Sequence, residues 1–390
     1  MDTNDNFNNN LNNNMNNDQN INNSPKKKKI GITKIIPYLF ILGIIVVVAM
    51  LVFPKFFFGD DTNNPASNTV EPTKPTEPEK PTEPEKPVSK TTIIDTTSKT
   101  RPVGIMINCH NDALPQAGLQ DAYAVYELMV EGGITRMFAL FKDKDFTKVG
   151  SIRSVRAQFV AYAYENDAII VHAGGSSEAL KKLSKEKIDN INVDGKYGQR
   201  DSALAKKRAW EHTLFTKMSS LKQAMTDSKI RSTSDESPVL FYTNEGEINL
   251  NKYSTAKTAN NISIKYSNYR TANYEYDANK KVYLRKMNST KNVDLVTGKQ
   301  YEVKNIIAYG VKYTNYCVGS YCAYVRPSNT GTGEGYYFTN GYAIPITWNK
   351  KNEKSKTKYY VKETGKELKV NDGNTYFQIY PTNGGSLAFK

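Results

Sequence analysis

Residues Arg101–Phe141 read RPVGIMINCHNDALPQAGLQDAYAVYELMVEGGITRMFALF, and this stretch decides the fold class of the chain. Its first eight residues are a short apolar run, which is typical of a buried strand. Gly118–Val130 places apolar residues at helical spacing, and Gly132 and Gly133 follow where a helix would end. Ile134–Phe141 is a second short apolar run. The stretch therefore predicts strand, helix and strand in that order.

The residues that follow continue this alternation. Ser154–Glu165 predicts a second helix, and Ala168–His172 predicts a third strand that leads into a Gly-Gly-Ser-Ser loop and another helix. Strands alternating with helices indicate an α/β domain. Because ligand sites in such sheets tend to lie beyond the carboxyl ends of the strands, we expect a polar cleft near Asn108, His110 and His172.

Basic residues and glycines surround the expected cleft. All three histidines of the chain and a group of arginines fall within residues 98–230: His110, His172, His212, Arg136, Arg153 and Arg156. Gly174 and Gly175 precede a helix, where backbone N–H groups can hold an anion. The loop lacks the lysine of a phosphate-binding loop, so nucleotide binding is not expected. No CxxC or HExxH spacing occurs, and the histidines are interpreted as hydrogen-bonding or core groups without a metal.

Two acids in the predicted helix allow two interpretations. Glu127 and Glu131 are four residues apart and would project from one helix face. They could be solvated, or they could pair with Arg136 and Arg153. Alternatively, one of them is a cleft acid, because Glu127 lies in the otherwise nearly apolar run Ala122–Val130. A carboxylic acid in a partly apolar pocket keeps its proton near neutral pH and can act as a proton donor.

Composition changes sharply after residue 230. Residues 231–390 hold 20 of the 26 tyrosines and +10 of the net charge of +14. The spacing of short apolar runs between Asn, Gly and Lys turns predicts an antiparallel sheet or barrel. The expected strands are Val239–Thr243, Ile262–Tyr266, Tyr274–Tyr276, Val282–Leu284, Ile306–Tyr309, Tyr336–Phe338, Ile344–Trp348, Lys358–Val361 and Tyr376–Tyr380. The predicted fold class is thus α+β, with an α/β domain at 98–230 and a Tyr-rich, basic β domain at 231–390.

The three cysteines separate into a pair and a single residue. Cys317 and Cys322 enclose four residues, and we expect a disulfide between them outside the cytoplasm. Cys109 is left as a buried thiol. As a nucleophile it would need a base reached through space, because the adjacent His110 points to the opposite face of a strand.

The N-terminal segments predict a tethered ectodomain. Residues 1–34 are an Asn-rich tail with a lysine cluster, 35–58 an apolar segment, and 59–97 a Pro/Glu/Thr/Lys-rich stalk. Lysines before the apolar segment place that side in the cytoplasm, so the segment predicts a single transmembrane anchor with everything after it extracytoplasmic. A cleaved signal peptide is the alternative, but the bulky sequence FPKFFFG at 53–59 does not suit a peptidase.

Three blocks carry a family resemblance. They are the stretch quoted above, VGSIRSVRAQFVAYAYENDAIIVHAGGS at 149–176, and RAWEHTLF at 208–215. In order and spacing they resemble the YerB-like bacterial lipoprotein family, which has no assigned function. The resemblance implies an anchored, extracytoplasmic protein with an α/β part followed by a β-rich part. The first cysteine of this sequence is Cys109, so a transmembrane helix is expected instead of a lipid anchor.

The polar residues at family-like positions suggest a wall-related activity. We expect a membrane-anchored cell-wall protein that cleaves peptidoglycan glycan strands like a lytic transglycosylase, which needs one acid because the sugar's own hydroxyl attacks. Glu127 is the first choice for that acid and Glu131 the second. The expected binding residues are Asn108, His110, Arg136, Arg153, Arg156, His172, Gly174, Gly175 and His212. The alternative is a non-catalytic scaffold that binds the wall or a partner. Peptidoglycan or anionic wall polymers and the bilayer are the expected partners, with no cofactor, metal or nucleic acid.

Overall fold

The computed structural model describes residues 92–243 and 247–390, which belong to one compact unit. The predicted tail, the predicted anchor at 35–58 and most of the predicted stalk lie outside the described residues. Within the described ranges, no helix is both long enough and apolar enough to cross a bilayer.

Residues 92–243 contain nine strands and four short α-helices in their described structure, besides single turns of 3-10 helix. The strands are β1 (Val103–Asn108), β2 (Ala124–Met129), β3 (Thr135–Phe141), β4 (Val149–Gly150), β5 (Ile169–His172), β6 (Asn190–Asn192), β7 (Gln199–Arg200), β8 (Leu214–Thr216) and β9 (Phe241–Tyr242). The helices are α1 (Val160–Glu165), α2 (Ser177–Lys185), α3 (Ser202–Ala205) and α4 (Met218–Asp227).

Residues 247–390 are built almost entirely from strands. They are β10 (Lys257–Thr258), β11 (Asn261–Lys265), β12 (Thr271–Asp277), β13 (Val282–Met287), β14 (Thr290–Lys291), β15 (Glu302–Val303), β16 (Asn305–Val311), β17 (Tyr313–Val318), β18 (Tyr321–Pro327), β19 (Gly331–Thr339), β20 (Tyr342–Lys350), β21 (Lys358–Val361), β22 (Lys369–Val370), β23 (Thr375–Pro381) and β24 (Ser386–Phe389). In coarse form the prediction is confirmed: the described fold is rich in β-structure and has few helices.

One large mixed sheet runs through both halves of the sequence. Eleven of the described strands form it, in the order β10-β20-β19-β16-β23-β2-β3-β1-β5-β6, with β21 paired to β20. β23 lies between β16 and β2 and is parallel to both. The antiparallel sheet expected for residues 231–390 is therefore found only in part, because β16 and β23 pair in parallel. Residues 98–230 and 231–390 contribute neighbouring strands to the same sheet.

The central strands are apolar on both faces, which explains their position. In β23, Tyr376 belongs to the core on one face, and Phe377 and Ile379 belong to the core on the other. A six-stranded sheet, β14-β13-β12-β11-β24 with β15 beside β13, contributes Ile264 and Tyr274 to the first core. Residues from α1 and α2 contribute to the second core. The large sheet is thus the middle layer.

The expected helix at Gly118–Val130 is wrong. Residues 124–129 form β2, which pairs antiparallel with β3 and parallel with β23. Gly132 and Gly133, interpreted as a helix stop, have φ of +71° and +69° and form the turn from β2 into β3. A short apolar run next to glycine is compatible with a helix or a strand. Residues 124–129 form a strand because they pair with β23, about 250 residues away.

The remaining predicted elements are confirmed with shifted ends. The predicted strands at 101–108, 134–141 and 168–172 correspond to β1, β3 and β5, and the predicted helix after the Gly-Gly loop is α2. The expected helix at 154–165 is shorter, because only Val160–Glu165 is α-helical. Each predicted run after residue 230 falls on a strand. Cys317 and Cys322 form the expected disulfide, at the turn of the β17–β18 hairpin, and Cys109 is free and buried.

Candidate functional site

Several strands end at the same edge of the large sheet, and this edge carries most of the predicted site residues. β1 is parallel to β5, and β5 is parallel to β6, so Asn108, His172 and Asn192 stand at neighbouring carboxyl ends. β3 runs antiparallel to β1, and its Arg136 is opposite Asn108. We call this region, together with the loops that follow these strands, the polar edge.

Three arginines and one glutamate form an arginine cluster at the polar edge: Arg136, Arg153, Arg156 and Glu131. Arg156 donates through Nε to both Glu131 carboxylate oxygens at 3.0 Å and also through Nη2. Arg136 is buried and donates to the carbonyl oxygen of Ser154. Ser154 lies between Arg153 and Arg156 in the sequence. Arg156 is therefore the guanidinium that contacts Glu131, while Arg136 and Arg153 interact with this carboxylate through their charges.

The charges of the arginine cluster determine how its members titrate. Burial raises the pKa of Glu131, but hydrogen bonds from Arg156 and the charges of Arg156 and Arg136 outweigh it, so the pKa is lowered. Burial and then the charge of Arg156 lower the pKa of Arg136, while Glu131 opposes them. A guanidinium still stays protonated at neutral pH. Glu131 is therefore an ionised partner of the arginines and does not carry a proton that it could donate.

Arg153 differs from its neighbours because its guanidinium is only loosely held. Among the described residues it makes no side-chain hydrogen bond, and its contact with the exposed Glu211 is 3.6 Å from Nη2 to Oε1. That separation exceeds a normal hydrogen bond. The side chain is 30% exposed, so its donors are accessible from solvent.

A histidine pair, His110 and His212, lies beside Arg153. The two rings are stacked with centroids 5.0 Å apart and planes inclined by 9°. Asn108 Nδ2 lies 2.8 Å from His212 Nδ1. Possible ligand atoms of His110, Asp112 and His212 lie within 4.8 Å of one another, a proximity that sequence spacing did not indicate.

A series of hydrogen bonds from the second half of the chain holds Asn108, the residue that contacts His212 of the histidine pair. Arg285 Nη1 donates to Asn292, and Asn292 Nδ2 donates to Gln116 Oε1 at 2.9 Å. Gln116 Nε2 then donates to the carbonyl oxygen of Asn108 at 2.9 Å. Buried polar groups that satisfy one another in this way fix the orientation of the residues they hold. Asn108 is thus positioned by both halves.

His172 and the glycine loop have a structural role at the same edge. His172 is buried, with Nδ1 2.7 Å from the carbonyl oxygen of Gly174 and Nε2 3.1 Å from Asn190 Oδ1. Burial lowers its pKa. The N–H of Gly174 donates to Asn192 and the N–H of Ser176 to Val155. A Cβ on Gly175 would lie 2.8 Å from Val155, so glycine is needed for close approach. These internal bonds do not match the expected open anion cradle.

Glu127 lies on strand β2 inside the core and away from the polar edge, which corrects its expected position on a helix that lines the cleft. It has no exposed surface and forms an ion pair with Arg285 Nη2 at 2.8 Å. Thr135 Oγ1 and Gln378 Nε2 donate to the two carboxylate oxygens at 2.7 Å and 3.1 Å. Glu127 and Glu131 therefore do not share a face of one element.

Sequence reasoning missed the partners of Glu127, although one signal for Arg285 was present. Tyr283, Arg285 and Met287 alternate along β13, and all three are buried. A period of two places them on one face of a strand. An arginine in register with inward-facing apolar residues needs a buried acid, and Glu127 is that acid.

Cys109 is not a nucleophile candidate in this arrangement. It is buried, and burial raises the pKa of its thiol to about 12. The sulfur lies 3.8 Å from the carbonyl oxygen of Ile107 and 3.7 Å from Gln116 Nε2. A thiolate is the reactive form, and this environment disfavours it.

A basic groove lies near the polar edge. It has a volume of about 630 Å³ and is lined by Lys148, Lys196, Arg200 and Lys217, with Asp201. Arg200 links the groove to Trp210: it donates to the Trp210 carbonyl oxygen at 2.6 Å, and its guanidinium lies 4.5 Å from the indole centroid. Trp210 is 64% exposed and precedes Glu211 and His212. Aromatic surface and positive charge thus continue from the histidine pair into the groove.

Comparisons with known proteins identify relatives of the chain. The family model "Protein of unknown function (DUF3048) N-terminal domain" matches residues 90–231, and the corresponding C-terminal domain model matches residues 262–377. YerB of Bacillus subtilis (strain 168), a proposed lipoprotein, is 29% identical over 290 residues, which cover 73% of this chain and 82% of YerB. The crystal structure of the YerB protein from Bacillus subtilis is similar with a TM-score of 0.64 at 25% identity, covering 78% of this chain and 100% of that one. The chain therefore belongs to the two-part, YerB-like family DUF3048, as its sequence blocks predicted.

Proposed function

We propose that this protein is held at the membrane, faces the outside of the cell, and binds an acidic cell-wall polymer at the polar edge without cleaving it. The membrane location is supported by the lipoprotein name of its relative YerB. The apolar segment 35–58, preceded by lysines, is the proposed anchor. Peptidoglycan with acidic substituents and phosphate-rich wall polymers both supply the required negative charge.

The observation that carries this proposal is the state of Arg153. Its guanidinium is partly exposed, has no hydrogen bond among the described residues, and stands 3.6 Å from its acidic neighbour Glu211. Guanidinium groups with free donors bind carboxylate and phosphate oxygens in a bidentate manner. Arg136 and Arg156 add positive charge behind it. An acidic ligand would complete the contacts of Arg153.

The surroundings of Arg153 suit a polymer better than a small ion. Exposed Trp210 offers a flat aromatic face of the kind that stacks on sugars, and it lies between Arg153's partner Glu211 and Arg200 of the basic groove. Four basic side chains line that groove. Lys148, Lys196 and Arg200 pair with Asp201, Asp227 and Asp194, and Lys217 is the fourth cation. A chain of acidic sugars could therefore contact the polar edge and the groove together.

Glycan cleavage remains the competing hypothesis, and the positions of its two acids do not favour it. A lytic acid must reach the glycosidic oxygen and carry a proton near neutral pH. Glu127 has no exposed surface. Glu131 is ionised, because Arg156 and Arg136 hold its pKa below the ordinary value. Binding without cleavage requires neither acid to donate a proton.

Wall binding can be tested with full-length protein in detergent and purified wall fragments. We expect the wild type to sediment with the fragments, and the Arg153→Gln variant to bind roughly tenfold more weakly, since one charge-assisted interaction is lost. Arg231→Gln is the matched control. It removes the same charge from a residue that is ion-paired with Asp167, before β5 and hence at the opposite edge of the sheet.

The same samples separate binding from cleavage. Mass spectrometry of the supernatant should detect no anhydro-sugar products above the level of the Glu131→Gln variant. Release of such products by the wild type but not by that variant would establish the lytic hypothesis instead. Equal losses for Arg153→Gln and Arg231→Gln would show that only net charge matters, which contradicts a site at the polar edge.

A further inference from the structure

We propose that His110 and His212 form a paired donor site that receives one oxyanion, a carboxylate or a phosphate group, between their Nε2–H groups and Arg153. This inference rests on the proposed function, because it names the chemical group through which the acidic polymer is recognised. It is carried by the hydrogen bonds that fix the protonation pattern of the two rings.

The orientation of the Asn108 amide is fixed by a backbone donor. The N–H of His110 lies 3.0 Å from Asn108 Oδ1, and a backbone N–H can only donate, so the atom facing it is the amide oxygen. The amide nitrogen then faces His212 Nδ1 at 2.8 Å. Because an amide nitrogen also only donates, His212 Nδ1 accepts. The neutral His212 ring therefore carries its hydrogen on Nε2.

The same reasoning applies to His110. The backbone N–H of Asp112 donates to His110 Nδ1 at 3.2 Å, which makes Nδ1 an acceptor. In the neutral ring the hydrogen is again on Nε2. Among the described residues, neither Nε2 makes a hydrogen bond to the protein. Two parallel rings, 5.0 Å apart, thus each have a donor without a partner.

A neutral His212 ring stands beside Arg153, which supplies the positive charge of the site, although Glu211 and Asp112 also face the ring. Burial first, and then the charges of His110 and Arg153, lower the pKa of His212, while Glu211 and Asp112 oppose them. The ring is therefore a neutral donor near pH 7, and Arg153 supplies the positive charge. A bound oxyanion would accept from the donors and screen Arg153, so it would raise the pKa of His212.

A metal ion is the alternative occupant, since His110, Asp112 and His212 could offer three ligands within 4.8 Å. Imidazole binds a metal through a nitrogen lone pair. Here each Nδ1 lone pair already accepts a hydrogen bond, and each Nε2 carries a hydrogen. Metal binding would require Asn108 to turn and lose its bond from the His110 N–H. The hydrogen-bond pattern therefore favours an anion.

The chain has three histidines, so their ring signals can be followed individually by NMR. The test uses full-length protein in detergent with ¹³C-labelled histidine rings, titrated with inorganic phosphate and, separately, with acetate. We expect the His110 and His212 signals to shift in a saturable manner and the His212 titration to move to higher pH. His172 is the internal control, since both of its ring nitrogens are already hydrogen-bonded. The stronger probe identifies phosphate or carboxylate as the natural group.

Variants test which residues bind the anion. Arg153→Gln should weaken the binding of the better probe roughly tenfold, whereas Arg231→Gln should not change it. His110→Gln, at a half-exposed position, should lower affinity while the His172 signal stays in place, which shows that the fold is kept. His212→Phe is informative only if the same His172 signal is retained.

Specific outcomes would overturn the inference. These are no saturable shift with either probe, equal shifts of all three histidines, or a response to Zn²⁺ without a response to phosphate or acetate. Failure of the inference is distinguishable from failure of the proposed function. Wall binding that depends on Arg153 but not on His110 would keep the function and reject the histidine pair. Phosphate binding at the histidine pair without retention on the wall would keep this inference and reject the proposed function.

Discussion

Glu127 and Arg285 form an ion pair with no solvent contact between two sheets. Removing one charge of a buried pair leaves the other unpaired in a medium of low polarity. We expect Glu127→Gln to lower the free energy of unfolding by about 3–5 kcal/mol, measured by urea denaturation. Thr135 and Gln378 can still contact the amide, so the loss reports mainly on the charge.

The matched control for that change is Glu275→Gln. Glu275 pairs with Lys286 at 2.7 Å within the same six-stranded sheet, but its side chain is 54% exposed. Surface ion pairs contribute little, so a loss of under about 1 kcal/mol is expected. Similar small losses for both variants would contradict the view that Glu127 is a structural residue.

The sequence predicts which residues have polar surroundings more often than it predicts where those residues lie in the fold. The sequence identified Asn108 as a polar residue at a strand end and Arg136 and Arg153 as binding residues of the same cleft, and the three do lie together at the polar edge. Glu127 was misplaced because its partner Arg285 is 158 residues away. A carboxylate in an apolar run indicates a special environment, but only the fold shows whether that environment is a cleft or a core.

The β17–β18 hairpin is the element that the disulfide constrains. Within the described structure these two strands pair only with each other, and Cys317–Cys322 closes their turn. We expect the Cys317→Ser/Cys322→Ser variant to raise amide hydrogen exchange across 313–327. The global stability should fall by no more than about 2 kcal/mol, because the closed loop is short.

Hydrogen exchange measured by mass spectrometry checks this expectation, with β20 as the reference. β20 pairs with three other strands and is mostly buried, so its exchange should not change. Faster exchange in both elements would mean that the disulfide supports the whole fold, which contradicts a local role.

Elements were predictable where a local pattern was sufficient. The alternation of buried and partly exposed residues in β11 and β13 can be read from the sequence. β2 was not predictable in this way, because its residues are buried on both faces and show no alternation. Its strand state follows from its pairing with β3 and β23.

At the scale of the whole molecule, β23 joins the two halves. It pairs with β16 on one side and β2 on the other, so a chain that ends at Asn374 would leave each of these strands without its partner on one side. We expect that chain to show no cooperative thermal transition by circular dichroism. The apolar faces of the central strands would then stay exposed to water.

The control is a chain that ends at Gly385 and lacks only β24. That strand pairs with β11 at the edge of the six-stranded sheet, and its residues are partly exposed. Its loss should leave a cooperative transition at a lower temperature. A cooperative transition in the chain ending at Asn374 would show instead that the halves fold independently.

The class of the fold was accessible from sequence, but the arrangement of the two halves was not. Composition changes at residue 231, and the family models also divide the chain near that point. Composition reports the surface and core of each segment. It does not report which strands become neighbours, because parallel pairing such as β2 with β23 has no local turn to announce it.

The central position of β23 also has a consequence for biogenesis. Synthesis proceeds from the N-terminus, so β1, β2 and β3 are completed some 230 residues before the strand that covers the open side of β2. During that interval the unpaired backbone groups along the free edge of β2 are exposed to pairing with the wrong strand. Contacts of such high sequence separation also slow folding. Folding of this chain is therefore expected to depend on chaperones until β23 has emerged.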